Sequence, residues 1–180
     1  MSKLLVIVDM QNDFIDGTLG TAEAVSIVEN VIAKIKKYET DGEPVIFTMD
    51  THSDNYLETQ EGKNLPVKHC ITGTKGWEIN DRIMDAVDLN QYKIYKKITF
   101  GSSELAKDLL NGLYDEISQV ELIGICTDIC VITNAMLFKT LLPEVPVIVD
   151  AACCAGVTPE SHANALNAMK MCQINIQNVQ

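Results

Sequence analysis

A chain of 180 residues with 47% hydrophobic content is long enough to bury a sizeable core, and one domain over 1–180 is expected. Its 14 basic and 25 acidic residues leave a net charge of −11, which argues against a nucleic-acid or anionic-membrane partner. No apolar run approaches the roughly 20 residues of a membrane span. The opening Met1-Ser2-Lys3 passes straight into a strand-like segment rather than a cleaved leader, so a cytoplasmic protein with six reduced cysteines is expected.

In chain order, Leu4 to Val8 reads as a buried strand ending at Asp9, followed by a polar loop of Gln11, Asn12, Asp13, Asp16 and Gly17 around Phe14. Apolar Ala24, Val25, Val28, Ile32 and Ile35 predict a helix over about 21–38, stopped by Asp41-Gly42. Pro44 to Met49 is a second strand, ending at Asp50. Thr51 to Gly76 is polar and irregular, and loops of that length inside a domain are usually functional or disordered. A weak helix near 80–87 precedes a third strand, Tyr92 to Lys96, and a helix from Ser103 to Leu113 follows. Pro146 to Val149 is another strand, ending at Asp150. A helix over about 159–171 leads to a short terminal strand around Ile174 to Ile176. Strands alternating with helices imply parallel pairing through right-handed crossovers, hence a three-layer α/β/α sandwich with a mainly parallel central sheet.

The stretch Val120 to Val131 carries the densest information. An apolar strand meets Gly124, which permits a sharp turn. Thr127 and Asp128 then read as caps for a helix bearing Val131, Ala135 and Phe138. Cys130 would lie in the first helical turn, where the helix dipole favours a thiolate and free amides can hold an oxyanion. A lone cysteine there is also readable as a small buried apolar residue.

Sites in such sheets lie beyond the carboxyl ends of strands. Asp9, Asp50, Lys97, Cys130 and Asp150 are all predicted at or just past such ends. Asp9, Lys97 and Cys130 supply a base, a cation and a nucleophile, the parts that acyl transfer by a thiol needs. With only three histidines in the chain, a carboxylate base is a serious alternative to the usual imidazole. A second cluster, Asp50 and His52 with Glu61 and His69 downstream, offers carboxylate and imidazole ligands suited to Zn²⁺, Mn²⁺ or Fe²⁺. Ordinary surface-loop residues are the competing reading of that triplet.

These motifs together resemble the isochorismatase-like cysteine hydrolases, and within them the nicotinamidases, over essentially the whole chain. The opening Asp9-Met10-Gln11-Asn12-Asp13-Phe14 resembles the family's D-x-Q-N-D-F. Asp50-Thr51-His52 and Pro66 to Thr74 are similar to the metal triplet and the P-x-H-C-x-x-G-T segment. Lys97 to Phe100 stands where the family has K-P-x-F. Gly124 to Val131 is similar to G-x-x-T-D-x-C-V, and Asp150-Ala151-Ala152 with Thr158 to His162 matches the closing pattern.

The resemblance implies a triad of Asp9, Lys97 and Cys130, with Lys96 the alternative if the alignment slips by one. It also implies a cis peptide at Ile125–Cys126 and an oxyanion hole from the backbone N–H groups of Cys126 and Cys130. One divalent metal ion (Zn, Mn or Fe) would sit on Asp50, His52 and His69, with Glu61 or else Glu58 added. Phe14 and Phe100 would wall the substrate pocket; nicotinamidases commonly carry a ring-stacking aromatic residue near the P-x-H-C segment, and here Leu65 sits nearby. The implied substrate is a small carboxamide, with nicotinamide to nicotinate plus ammonia as the leading reaction, and a homo-oligomer is expected. Alternatives are another amide or ureido compound, isochorismate, or an idle scaffold. His162 is read as a structural helix residue, and Cys70, Cys126, Cys153, Cys154 and Cys172 as apolar filler.

Overall fold

The computed structural model describes residues 2–114 and 116–179. Its centre is a six-stranded parallel sheet in the order β3-β2-β1-β4-β5-β6. The strands are β1 (Ser2–Val8), β2 (Val45–Asp50), β3 (Lys93–Lys97), β4 (Ile117–Ile125), β5 (Val147–Ala155) and β6 (Asn175–Gln177). Leu4, Leu5, Val6, Ile7 and Val8 all have zero exposure, so β1 is buried on both faces, as its unbroken apolar run requires. Each such side chain removed from water contributes roughly 1.5–3 kcal/mol.

Helices cover both faces. α1 (Asn12–Ile15), α2 (Ala22–Asp41), α3 (Gln60–Asn64) and α4 (Asp81–Ala86) precede β3, and α2 packs on both α1 and α4. α5 (Ser103–Leu110), α6 (Ile132–Leu141) and α7 (Pro159–Met171) follow and pack in succession on one another. The strand order reverses direction between β1 and β4, so a crevice opens beyond their carboxyl ends. β1 and β4 approach closely because residue 124 is glycine: at φ +119° a Cβ there would lie 2.1 Å from the Val8 carbonyl oxygen.

Several expectations need correction. Asn12–Ile15 is a short helix rather than loop. In α2 the buried stripe runs through Ile27 and Val31, while Val25 is exposed. The stretch 51–76 is not structureless: it holds turns at Tyr56–Glu58 and Lys75–Trp77 as well as α3. β5 continues through Asp150 to Ala155, so this aspartate is mid-strand and not at a strand end. Lys34 Nζ at 2.7 Å pairs with its buried carboxylate there and Asn178 Nδ2 donates to it at 2.9 Å, away from the other four residues. Cys172 is exposed and fills no core.

Candidate active site

Asp9 directly follows β1 and is fully buried, with Oδ1 accepting the Thr48 hydroxyl at 2.7 Å. Lys97 ends β3, and its long stem crosses the end of β2 to bring Nζ within 2.6 Å of Asp9 Oδ2. The same Nζ lies 3.4 Å from Cys130 Sγ and 3.4 Å from Asp50 Oδ1. Lys96, one residue earlier, is exposed and lies over the Trp77 ring at 4.9 Å. The register places Lys97, not Lys96, in the crevice.

Burial raises the Asp9 carboxyl above its usual range, partly offset by the Lys97 charge, and Asp50 adds to the rise. Burial would lower Lys97, but Asp9, Cys130 and Asp50 outweigh it and hold the ammonium charged. Cys130 is pushed well above an ordinary thiol by burial and then by the Asp9 charge. The placement of Cys130 also differs from the expected first turn of an α-helix. Thr127–Val131 is a wide turn of π type, α6 begins only at Ile132, and Cys130 precedes it. Thr127 and Asp128 do not cap the turn. Thr127 Oγ1 lies 2.8 Å from His162 Nδ1, and the Asp128 carboxylate accepts the Val157 N–H at 3.1 and 3.3 Å. The Ile125–Cys126 peptide is cis, as the resemblance implied.

Beside this trio stands the second group. Asp50, His52, Glu61 and His69 each present a ligand atom, all within 4.8 Å of one another. Asp50 Oδ2 is 2.9 Å from His52 Nε2 and 3.5 Å from His69 Nε2, while Glu61 Oε1 is 3.6 and 3.8 Å from the two nitrogens. A tetrahedral shell of radius ~2.1 Å sets neighbouring ligand atoms ~3.4 Å apart, so the donor set fits a divalent ion of zinc type. His69 Nδ1 bonds the Val67 carbonyl at 2.8 Å, which leaves Nε2 facing the group. Burial would raise the Asp50 carboxyl, but hydrogen bonds from His52 and His69 and the Lys97 charge hold it well below the usual carboxylate range. Glu61 is raised by burial and by Asp50. Of the two glutamates left open by the sequence, Glu61 joins the group, while Glu58 is exposed on its turn.

A cavity of about 220 Å³ lies over both groups. Phe14, Leu65 and Phe100 line it together with Cys126, Ile129 and Cys130, and Asp50, Glu61 and His69 form its polar end. The Phe14 ring packs on His69 at 5.5 Å between centroids.

Supporting residues escaped the sequence reading. Gln11 Oε1 accepts the Asp50 N–H at 2.7 Å while its Nε2 donates to the Asp50 carbonyl at 2.8 Å, fixing the end of β2 that presents Asp50. Asp13 Oδ2 accepts the Cys70 N–H at 2.8 Å, next to His69. Tyr56 has zero exposure, packs on both imidazoles at 4.7 and 4.9 Å, and donates to the Leu65 carbonyl at 3.0 Å. Asn134 Nδ2 donates to the Cys130 carbonyl at 2.8 Å. Gln11 and Asp13 were visible as motif positions, and Asn134 as a polar residue four beyond Cys130 on an otherwise apolar helix face.

With this geometry in view, the isochorismatase domain family model matches residues 3–180. An uncharacterized isochorismatase family protein of Bacillus subtilis is 28% identical over 174 residues, covering 93% of each chain. The nicotinamidase/pyrazinamidase of Mycobacterium tuberculosis is 27% identical over 188 residues, covering 97% of each. The crystal structure of a Pyrococcus horikoshii pyrazinamidase in complex with zinc superposes with a TM-score of 0.82 at 28% identity, covering 99% of this chain and 100% of that one.

Proposed function

The chain belongs to the isochorismatase-domain family, and from that premise we propose that it is a metal-dependent cysteine amidohydrolase of a small carboxamide, converting nicotinamide to nicotinate and ammonia. The observation that carries the reading is one ammonium, Lys97 Nζ, standing 2.6 Å from Asp9 Oδ2 and 3.4 Å from Cys130 Sγ beneath an apolar cavity. Named nicotinamidases among the relatives support the choice of substrate.

In this reading Cys130 rests as a thiol and Asp9 as its carboxylate, paired with Lys97. Asp9 takes the Sγ proton as sulfur attacks the amide carbon, and the N–H groups of Cys126 and Cys130 hold the developing oxyanion. Protonated Asp9 then delivers that proton to the departing nitrogen, and ammonia leaves behind a thioester on Cys130. Asp9 next accepts a proton from water as it attacks the thioester, and returns it to sulfur when the acid departs. Lys97 keeps its charge throughout, lowering the cost of negative charge passing between sulfur and carboxylate. Asp50, His52, Glu61 and His69 would hold one divalent ion, zinc, manganese or iron, which when bound supplies a Lewis-acid contact for a ring nitrogen. Phe14, Leu65 and Phe100 exclude water and flank a planar ring.

The cavity lining contains two carboxylates and, among the described residues, no lysine or arginine, which disfavours a dicarboxylate such as isochorismate. Ammonia release from a panel of nicotinamide, pyrazinamide, aliphatic amides and ureido compounds, with and without chelator, tests the proposal. No release from any member with metal-loaded protein would overturn it.

A further inference from the structure

We propose that His162 is a positioning residue for the nucleophile turn, its imidazole holding Thr127 and, through it, the backbone that presents Cys130. The inference rests on reading Cys130 as the nucleophile. The turn Thr127–Val131 has no side-chain cap of its own, since its preceding residue is Cys126 and both Thr127 and Asp128 are committed elsewhere. Thr127 has zero exposure, and a buried hydroxyl needs a partner. The hydroxyl lies 2.8 Å from His162 Nδ1, thirty-five residues away on α7.

That anchor is itself immobilised. A Cβ on Gly156 would sit 2.9 Å from the N, Cα and Cβ of His162, so the helix seats directly on the chain leaving β5. Thr158 and Ser161 form reciprocal caps at the start of α7, one residue short of His162. The Asp128 carboxylate grips the same segment at the Val157 N–H. On the other side, Asn134 holds the Cys130 carbonyl at 2.8 Å. The turn is thus tied from α6 behind and from α7 in front. Burial lowers the His162 pKa, with Asp128 opposing, which favours a neutral ring that has one nitrogen free to accept. Small displacements of a nucleophile cost large factors in rate, and losing one of these three ties is a direct way to produce one.

The test uses the full-length chain and two independent readouts. Cys130 alkylation by iodoacetamide is followed by peptide mass spectrometry, with exposed Cys172 as the internal reference. Steady-state ammonia release from nicotinamide separates kcat from KM. His162→Leu keeps bulk and loses the bond, His162→Asn restores a side-chain partner near the Nδ1 position, and Thr127→Val removes the other half. We expect His162→Leu and Thr127→Val each to slow Cys130 labelling and kcat roughly tenfold, with KM and Cys172 labelling held within about twofold. His162→Asn should recover most of the loss, and the double variant should be no worse than either single one. Wild-type Cys130 labelling in His162→Leu, or His162→Asn no better than His162→Leu, would overturn the proposal. Should His162→Leu fail to fold, Thr127→Val against His162→Asn decides the matter by the same readouts. If wild-type protein releases no ammonia, the amidase reading fails, while the labelling comparison still decides the role of His162.

Discussion

Lys97 Nζ lies 3.4 Å from Asp50 Oδ1, so the carboxylate shared by both imidazoles also touches the cation that serves Asp9 and Cys130. The two groups are electrostatically one unit. Lys97→Met would leave two buried carboxylates without their cation, and breaking a buried pair in this way costs roughly 3–5 kcal/mol. The variant should be inactive and melt lower, whereas Lys96→Ala, on the exposed face over Trp77, should match wild type in both. Calorimetry with the ammonia assay checks the contrast.

Cys130→Ala should abolish turnover while nicotinamide still binds, because Phe14, Leu65, Phe100 and the polar end of the cavity are untouched. Asp9→Asn should keep the fold and lose roughly 10²–10⁴ in kcat, the usual contribution of a general acid–base. Retention of more than a few per cent of activity by Cys130→Ala would remove the nucleophile from the mechanism.

The pH dependence follows from two raised values. Asp9 must be a carboxylate to accept the thiol proton, and burial raises its pKa above the usual 3.8, so the acid limb of kcat/KM should lie above that value. In linkage terms the stability this group contributes is full below 3.8 and is lost as pH rises through the raised folded pKa. Cys130 is raised well above 9.0, so its alkylation rate should still be climbing beyond pH 9. A labelling plateau near neutrality would mean a resting thiolate and a different proton inventory.

One equivalent of divalent metal is expected by elemental analysis, lost on His52→Ala or His69→Ala. Glu61→Gln should weaken binding more than Glu58→Gln, since only Glu61 faces the other donors. Chelation should expose the segment between Ser53 and Lys68 to protease while the sheet survives. Full activity from metal-free protein would leave a metal-independent relative in place of a nicotinamidase.

Asp13→Ala touches none of the four donors, yet it removes the acceptor for the Cys70 N–H beside His69. Outer supports of this kind typically contribute 10–100-fold to metal affinity, and a loss of about that size is expected by titration calorimetry. An unchanged affinity would show that His69 is held without Asp13, by ring packing on Phe14 and Tyr56 and by the His52 N–H bond to the Cys70 carbonyl.

Much of the fold is legible in the sequence because fully buried parallel strands are unbroken apolar runs: Leu4 to Val8 and Val45 to Met49 announce themselves. Strand ends are less legible where charge is neutralised from a distance, as at Asp150, whose partner Lys34 is 116 residues away in sequence. The turn around Cys130 was misread for a related reason. Thr127 and Asp128 have capping chemistry, but α7 and the Val157 N–H claim both side chains first. Short helices such as Asn12–Ile15 and Gln60–Asn64 fall below the length at which periodicity can be seen.

The stem of Lys97 passing over the end of β2 has a consequence for which parts of the chain can be altered separately. In the proposed mechanism bond cleavage rests on residues of β1, β3 and the turn after β4, whereas His52, Glu61, Leu65 and His69 all belong to the single excursion between β2 and α4. That excursion begins and ends on the same side of the crevice, fastened to the Asn12–Ile15 region by Asp13 and Gln11. Grafting a different stretch between Thr51 and Trp77 would change which amide is admitted without rebuilding the machinery that cuts it.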